Sequence, residues 1–201
     1  MERFRMQRRV QVDDPGSQPS KYDDVQDDDS SPVEHDEPDS QEKLRKGDYI
    51  DVSSHPFFKK ILHKQGDQQV LFADKVLKFT GSGKIKCRIL LISDFAVYVV
   101  DPETGSLKRR IALAAVEKIC LSELSDNFFA IIIPTEYDLL MASTRKTEIV
   151  TAFVEATKRA SSYELEVDSS NRFEYNAASD LVKEIEFEEV EGGVKTRILR
   201  K

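Results

Sequence analysis

The chain has 201 residues, of which 33% are charged, and a formal net charge of −7. This length provides for one domain and a tail, and no apolar run approaches the roughly 20 residues that a membrane-spanning helix needs. The charge is uneven: residues 1–42 carry −8 (5 Lys/Arg, 13 Asp/Glu), residues 43–111 carry +7 (14 and 7) and residues 112–201 carry −6 (11 and 17). Because the basic charge is local, the composition does not match a uniformly basic nucleic-acid-binding protein.

The two cysteines, Cys87 and Cys120, do not form a C-x-x-C pair, and the three histidines show no ligand spacing with them. We therefore expect no disulfide framework, no metal site and no cofactor, and a reducing cytoplasm as the compartment. The arginine-containing N-terminus lacks an apolar segment, so it is not a secretory signal.

Residues 1–46 predict a disordered, acidic leader. Between Asp13 and Glu42 the chain consists mainly of Asp, Ser, Pro, Gln and Glu, and such a segment cannot bury a core. A solubilising tail is the simpler interpretation; the alternative hypothesis is autoinhibition, in which the leader lies on the basic region. Residues 47–69 predict a linker with a short helix, because Phe57 and Ile61 lie at helical spacing and Pro56 suits a first turn.

Residues 70–201 predict a β-rich domain. Seven short segments recur about every ten residues, which is typical of an all-β sandwich or barrel. They are Val70–Phe79, Lys86–Ser93, Ala96–Val100, Leu107–Ala112, Val116–Ser122, Asn127–Ile133 and Asp138–Met141. Thr144 is then predicted to cap a helix over Arg145–Ala160, whose apolar residues form one stripe. Further strand segments are expected at Tyr163–Val167, Arg172–Tyr175, Leu181–Val190 and Thr196–Leu199.

This order of elements predicts a mainly β fold. Seven antiparallel strands followed by one amphipathic helix are the pattern of a pleckstrin-homology-like barrel, with the helix closing one open end. The segments after the helix add extra C-terminal strands to that plan.

The first predicted hairpin carries the most informative residues. Lys84, Lys86 and Arg88 are spaced two apart, so alternation sends them to one face of a strand, and Lys78 of the partner strand can lie opposite them. These four cations predict a site for a multiply charged anion such as a phosphorylated lipid headgroup. Ile85 and Cys87 are then expected to point the other way, towards a core.

A second basic cluster lies on the fourth predicted strand. Alternation sends Lys108 and Arg110 to one face and Arg109 to the other. We take Lys108 and Arg110 as a secondary basic cluster, although a solvent-exposed strand face explains them equally well.

Catalysis and nucleotide binding are not predicted. Gly81-Ser82-Gly83-Lys84 suggests a phosphate loop, but a Walker loop needs a glycine where Lys78 stands and a Ser or Thr where Ile85 stands. No Ser/His/Asp or Cys/His set is evident, so we expect no enzyme activity and no small-molecule substrate. RNA binding is not favoured either, because the aromatic residues follow apolar patterns expected of a core. These residues are Phe79, Phe95, Phe128, Phe129 and Phe153.

The chain resembles the tail homology domain of class I myosins over roughly residues 56 to 200, in family order. The resembling stretches are Phe72-Ala73-Asp74-Lys75-Val76, Arg88-Ile89-Leu90-Leu91-Ile92-Ser93, Leu107-Lys108-Arg109-Arg110-Ile111, Leu124-Ser125-Asp126-Asn127-Phe128-Phe129 and Asp138-Leu139-Leu140-Met141-Ala142-Ser143 through Lys146-Thr147-Glu148-Ile149-Val150. The resemblance implies a pleckstrin-homology-like fold that binds anionic phospholipids, especially phosphoinositides. It also implies a headgroup pattern at Lys78, Lys86 and Arg88, whereas Lys84 is a candidate from its position alone.

The expected function is that of a peripheral membrane-binding module at a membrane or the cell cortex. Since the sequence contains no motor head, we expect a stand-alone tail domain whose partners are anionic phospholipid membranes and a myosin or another cytoskeletal protein. The alternative is a protein-interaction scaffold of the cortical or flagellar actin and myosin cytoskeleton that does not bind lipid.

Overall fold

A computed structural model describes residues 47–161 and 163–201. The predicted acidic leader, residues 1–46, lies outside the described residues, and so does the hypothesis that it covers the hairpin. The division into a linker and a domain that begins at residue 70 stays a prediction.

A short helix, α1 (Pro56–Gln65), precedes the sheet and starts with proline in its first turn, as the sequence predicts. Proline suits that position because its missing N–H would have no partner within the helix. Phe58 and Leu62 of α1 are buried against the outer face of the sheet, where they contact a cluster that includes Leu91 and Tyr98.

Seven antiparallel strands and one long helix follow. The strands are β1 (Val70–Phe79), β2 (Ile85–Ser93), β3 (Ala96–Val100), β4 (Leu107–Ala112), β5 (Lys118–Leu121), β6 (Phe128–Ile132) and β7 (Leu139–Ala142), and the helix is α2 (Lys146–Ala160). Their order across the sheet is β4-β3-β2-β1-β7-β6-β5, so β1 joins the two halves. These elements confirm the predicted mainly β, pleckstrin-homology-like architecture.

The main core lies on the inner face of this sheet. Alternate residues of each strand point inward, among them Val76 of β1, Leu90 of β2 and Val99 of β3, and α2 contributes Ile149 and Phe153. Because α2 packs against the turn that follows β4, the helix closes the end of the barrel opposite the β1–β2 turn. We call the other end, beside the β1–β2 turn, the barrel mouth.

The C-terminal strands extend the barrel. The strand β8 (Glu166–Ser169) pairs in parallel with β5, and a separate antiparallel sheet contains β9 (Arg172–Ala178), β10 (Leu181–Val190) and β11 (Gly193–Arg200). This three-stranded sheet packs on the outer face of β5, β6 and β7, where Ile185 and Phe187 bury against Ala130 and Leu140.

The predictions for Thr144 and Phe95 are wrong. Thr144 does not cap α2: Arg145 occupies the N-cap position, and no side chain there bonds the helix end. Phe95 is not in the core but 53% exposed, in the turn between β2 and β3. In the described part of the chain, neither α1 nor α2 is long and apolar enough to cross a membrane.

Candidate anion-binding site at the barrel mouth

The turn between β1 and β2 is held by Thr80. Its backbone N–H donates to the carbonyl of Lys84 over 2.9 Å, and its hydroxyl accepts a hydrogen bond from the backbone N–H of Lys84 over 3.0 Å. Gly83 has a φ of +83°, which a side chain at that position would strain. The Gly-Ser-Gly sequence therefore fixes the turn and with it the ends of both strands.

Strand register places three of the predicted cations on the inner face. Lys78 pairs with Lys86, and Arg88 pairs with the core residue Val76. Residues that pair directly across two antiparallel strands share a face. The cations therefore continue the row of core residues outward, past the end of the core and into the open mouth of the barrel.

The predicted direction of Ile85 and Cys87 is wrong. Ile85 is 58% exposed and Cys87 is exposed as well. Ile85 and Cys87 do lie on the face opposite the cations, as alternation predicts. However, the cations share the inner face with core residues such as Val76, so Ile85 and Cys87 lie on the outer face. The outer face has no cover here.

Lys78 is the centre of the site. Its side chain is half-buried, and burial lowers the pKa of its ammonium group. Neighbouring cations lower that pKa further: Arg109, Arg88 and Lys86. Among the residues that the structure describes, no carboxylate forms an ion pair with Lys78 or Lys86. A half-buried cation surrounded by like charges favours the binding of an anion.

Arg88, in contrast, already has an acidic partner. Its Nη1 lies 3.3 Å from the Asp101 carboxylate, which also lies 3.6 Å from the Nζ of Lys108. Desolvation acts to raise the pKa of Asp101, but backbone N–H groups and these two cations outweigh it and lower the pKa. Asp101 therefore stays ionised and pairs with Arg88 at the edge of the mouth.

Arg109 is a member of this cluster that sequence reasoning missed. Its side chain is buried, and its guanidinium lies 4.0 Å from the ring centre of Tyr137. Its Nε donates to Glu136 over 3.0 Å, whereas its buried Nη1 has no hydrogen-bond partner among the described residues. The signal was available, because alternation places Arg109 on the same face as the core residue Ile111.

The two residues of the secondary cluster contact different acids. Arg110 donates to the hydroxyl of Tyr98 over 3.1 Å and lies 3.6 Å from Asp67. Lys108 contacts Asp101. Strict alternation fails because the β3–β4 register shifts between Val99 and Val100. Lys108 therefore borders the mouth, while Arg110 helps to hold the region beneath α1.

Lys84 lies in the turn itself and is exposed. Lys86 and Arg88 of β2 help to lower the pKa of Lys78, whereas Lys84 is not among the causes of that shift. The structure thus brings Lys78, Lys86 and Arg88 together and leaves Lys84 at the tip.

An open cavity of about 490 Å³ adjoins Lys78. Its walls come from the β1–β2 turn, the loop before β7 and the turn between β9 and β10, and include Thr80, Ser82, Tyr137 and Leu181. Asp138 also lines it, but its carboxylate accepts hydrogen bonds from the backbone N–H groups of Ile133 and Asn176. The Lys78 ammonium group and the Ser82 hydroxyl therefore line the same cavity, whereas the Thr80 hydroxyl is already bonded within the turn.

Comparison with known proteins identifies the family of this chain. The family model of the unconventional myosin tail, described as actin- and lipid-binding, matches residues 39–200. The chain is 31% identical over 153 residues to myosin IB heavy chain of Dictyostelium discoideum, covering 72% of this chain and 14% of that protein. It is 26% identical over 159 residues to human unconventional myosin-Ib, covering 75% of this chain and 14% of that protein.

Among solved structures, the C-terminal PH domain of human pleckstrin matches with a TM-score of 0.38 and 16% identity, covering 46% of this chain and 91% of that one. In contrast, the chain covers only 14% of the length of each of the two curated myosins. On the strength of the family match over residues 39–200, the chain belongs to the unconventional myosin tail family, whose description is actin- and lipid-binding.

Proposed function

We propose that this domain is a non-enzymatic, peripheral membrane-binding module that captures phosphoinositides and other anionic phospholipids at the barrel mouth. Lys78, Lys86 and Arg88 contact the phosphate groups, Arg109 supports them from below, and Lys84 meets the lipid surface at the tip. The observation that carries the proposal is Lys78, a half-buried ammonium group with a lowered pKa and no acidic partner among the described residues.

The proposed mechanism is electrostatic capture. Near an anionic leaflet each Lys or Arg contributes about 1 kcal/mol, so several cations acting together are needed for useful affinity. A bound phosphate also relieves the repulsion between Lys78 and Lys86, which lie directly opposite each other. Since screening weakens interactions between charges, binding should weaken as salt concentration rises.

A partner protein of the cytoskeleton is the second candidate, because the family description names actin as well as lipid. The observation that favours it is β11, the edge strand of the three-stranded sheet. This strand is largely exposed and carries Lys195, Arg197 and Arg200. An exposed edge is able to pair with an added strand.

Cosedimentation of the full chain with vesicles separates these candidates. We expect binding to phosphatidylcholine vesicles only when phosphatidylserine or a phosphoinositide is included. Replacing both Lys78 and Lys86 by alanine should weaken binding about 30-fold, since two lost charges correspond to about 2 kcal/mol.

The matched control is the double variant Lys158→Ala/Lys195→Ala, which removes two exposed lysines outside the site. It should bind nearly as the unmodified chain does. Equal losses in both double variants would point to non-specific attraction, and no binding to any anionic vesicle would exclude the proposed function.

A further inference from the structure

The outer face of the β1–β2 hairpin carries an uncovered apolar strip, which we define as Leu77, Ile85 and Cys87. Leu77 and Ile85 are 46% and 58% exposed, and Cys87, which pairs with Leu77, is exposed too. Ile85 directly follows Lys84 of the turn. Neither Leu77 nor Ile85 belongs to any of the buried clusters.

The strip is exposed because the two elements that pack on the outer face, α1 and the three-stranded sheet, do not reach it. On one side α1 buries Ala73 and Ile89, which lie further from the turn on the same two strands. On the other side the three-stranded sheet packs over Leu140, with Phe79 partly buried beside it. Leu77 lies between these two covered areas, and Ile85 lies at the end of the hairpin, where it pairs with Phe79.

We propose that Ile85, with Leu77 behind it, inserts into the interfacial region of an anionic bilayer when the domain binds. This inference rests on the proposed function, since the cations must first bring the hairpin to the lipid. The two faces of one hairpin carry the two kinds of group that such an interface accepts. An orientation that points the tip of the hairpin at the membrane brings Lys84, Ile85 and Lys86, which are consecutive along the chain, to a similar depth.

A lipid surface suits this strip better than a protein because of the charges around it. Three cations lie near the apolar residues: Lys84 in the turn, Lys86 on the other face of β2, and Lys75, which is exposed and lies two residues before Leu77 on β1. An anionic bilayer is negative at its headgroups and apolar beneath them, so it complements both components. Replacing Ile85 by asparagine should therefore weaken vesicle binding up to about tenfold.

The chain contains no tryptophan, so a single substitution creates a unique fluorescent reporter. The test variant is Ile85→Trp. The matched control is Phe95→Trp, because Phe95 is 53% exposed and lies at the other end of β2, away from the mouth. Both variants are mixed with vesicles of phosphatidylcholine, phosphatidylserine and phosphoinositide that carry brominated acyl chains.

We expect the emission of the Ile85→Trp protein to shift to shorter wavelength and to be quenched by the bromine atoms, while the Phe95→Trp protein changes little. A third variant, Leu77→Trp, should be quenched less, because position 77 lies two residues further from the turn, about 7 Å along the strand. Circular dichroism confirms that each variant is folded.

The outcomes distinguish the two proposals. If the Ile85→Trp protein cosediments with the vesicles but keeps the emission it has in water, insertion is overturned and headgroup capture stands. If its emission changes on addition of filamentous actin and not with vesicles, the strip is a protein-binding surface and the inference is wrong. If neither reporter protein sediments with anionic vesicles, both proposals fall together.

Discussion

The barrel mouth and the three-stranded sheet both place charged side chains opposite one another on paired strands, but with opposite results. In the sheet, Glu186 lies between Arg172 and Arg197, and each arginine also lies 2.8 Å from a second glutamate. At the mouth, Lys78 faces Lys86. Opposite charges across a strand pair stabilise a sheet, while like charges destabilise it.

This difference indicates which of the two surfaces is suited to an external ligand. The charges around Glu186 already form ion pairs, so an anion that binds there would have to break them. The cations around Lys78 repel one another in the free protein, and an anion removes that repulsion. A count of charged residues would not show which of these two surfaces is suited to an anion; the pairing of the charges does.

The largest effect is expected from the sheet and concerns stability. Ile185 is fully buried between the sheet and the barrel, so Ile185→Ala should lower the free energy of unfolding by about 2–5 kcal/mol. Urea denaturation measures this change, with Ile198→Ala, which is 36% exposed, as the milder control. Because the sheet is proposed to support the fold rather than bind lipid, the folded fraction should still sediment with anionic vesicles. Loss of binding with an intact fold would contradict that assignment.

The second-largest effect is expected when opposite charges replace the like charges of the Lys78–Lys86 pair, as in the three-stranded sheet. In Lys86→Glu a carboxylate faces Lys78, so we expect folding stability to rise by about 0.2–1 kcal/mol. Vesicle affinity should fall about 30-fold, since one cation is lost and a second is neutralised, together worth about 2 kcal/mol. Denaturation and cosedimentation of the same variant measure both changes. A variant that binds vesicles as tightly as the unmodified chain would show that this pair is not part of the site.

A smaller effect should appear with pH. Because its pKa is lowered, Lys78 loses its proton before ordinary lysines do, whose pKa is about 10.4. Vesicle binding should therefore weaken as pH rises towards that value, by up to about fivefold for one charge. In this window the unfolded chain binds more protons at this position than the folded protein, so the contribution of Lys78 to stability increases with pH. Deprotonation of Lys78 therefore does not destabilise the folded protein, so unfolding caused by this residue cannot explain the loss of binding.

Lys78→Arg provides the control for this experiment. An arginine stays charged over the whole range, so the variant should bind vesicles with a flatter pH profile. Identical profiles for the variant and the unmodified chain would assign the pH dependence to another group.

The smallest expected effect comes from removing the acid at the mouth. Asp101→Asn keeps a hydrogen-bond acceptor for the turn but frees Arg88 and Lys108 from their carboxylate partner. Affinity for anionic vesicles should rise about two- to threefold. This is less than the change expected when one Lys or Arg is added near an anionic leaflet, which contributes about 1 kcal/mol. Glu188→Gln, which removes an acid of the sheet instead, should leave binding unchanged. Weaker binding by Asp101→Asn would mean that Asp101 positions Arg88 for the headgroup.

The sequence predicts the strands well where apolar and polar residues alternate over several positions. The observed bounds of β1, β3, β4 and β10 agree with those predictions, and α2 begins only one residue later than expected. The parallel pairing of β8 with β5 was not foreseen. Local periodicity predicts that a segment is a strand, but it contains no information on the distant strand that becomes its partner.

The candidate site could be predicted only in part, because local periodicity does not show which elements pack on each face of a strand. Alternation correctly groups Lys78, Lys86 and Arg88, yet it does not say which face of a hairpin will be covered, so Ile85 was assigned to the core. Alternation places Arg109 on the core face, but it does not predict the contacts of Arg109 with Tyr137 and Glu136, which belong to the loop before β7. Such contacts exist only in the folded chain.

The most direct test of the central claim is the pKa of the Lys78 ammonium group itself. It is measured by nuclear magnetic resonance of isotopically labelled lysine side chains, with the signal assigned by its absence from the Lys78→Ala spectrum, before and after addition of soluble inositol trisphosphate. The account predicts a pKa below the ordinary lysine value in the free protein and a rise when the anion binds. A pKa that does not change with saturating inositol trisphosphate would contradict it.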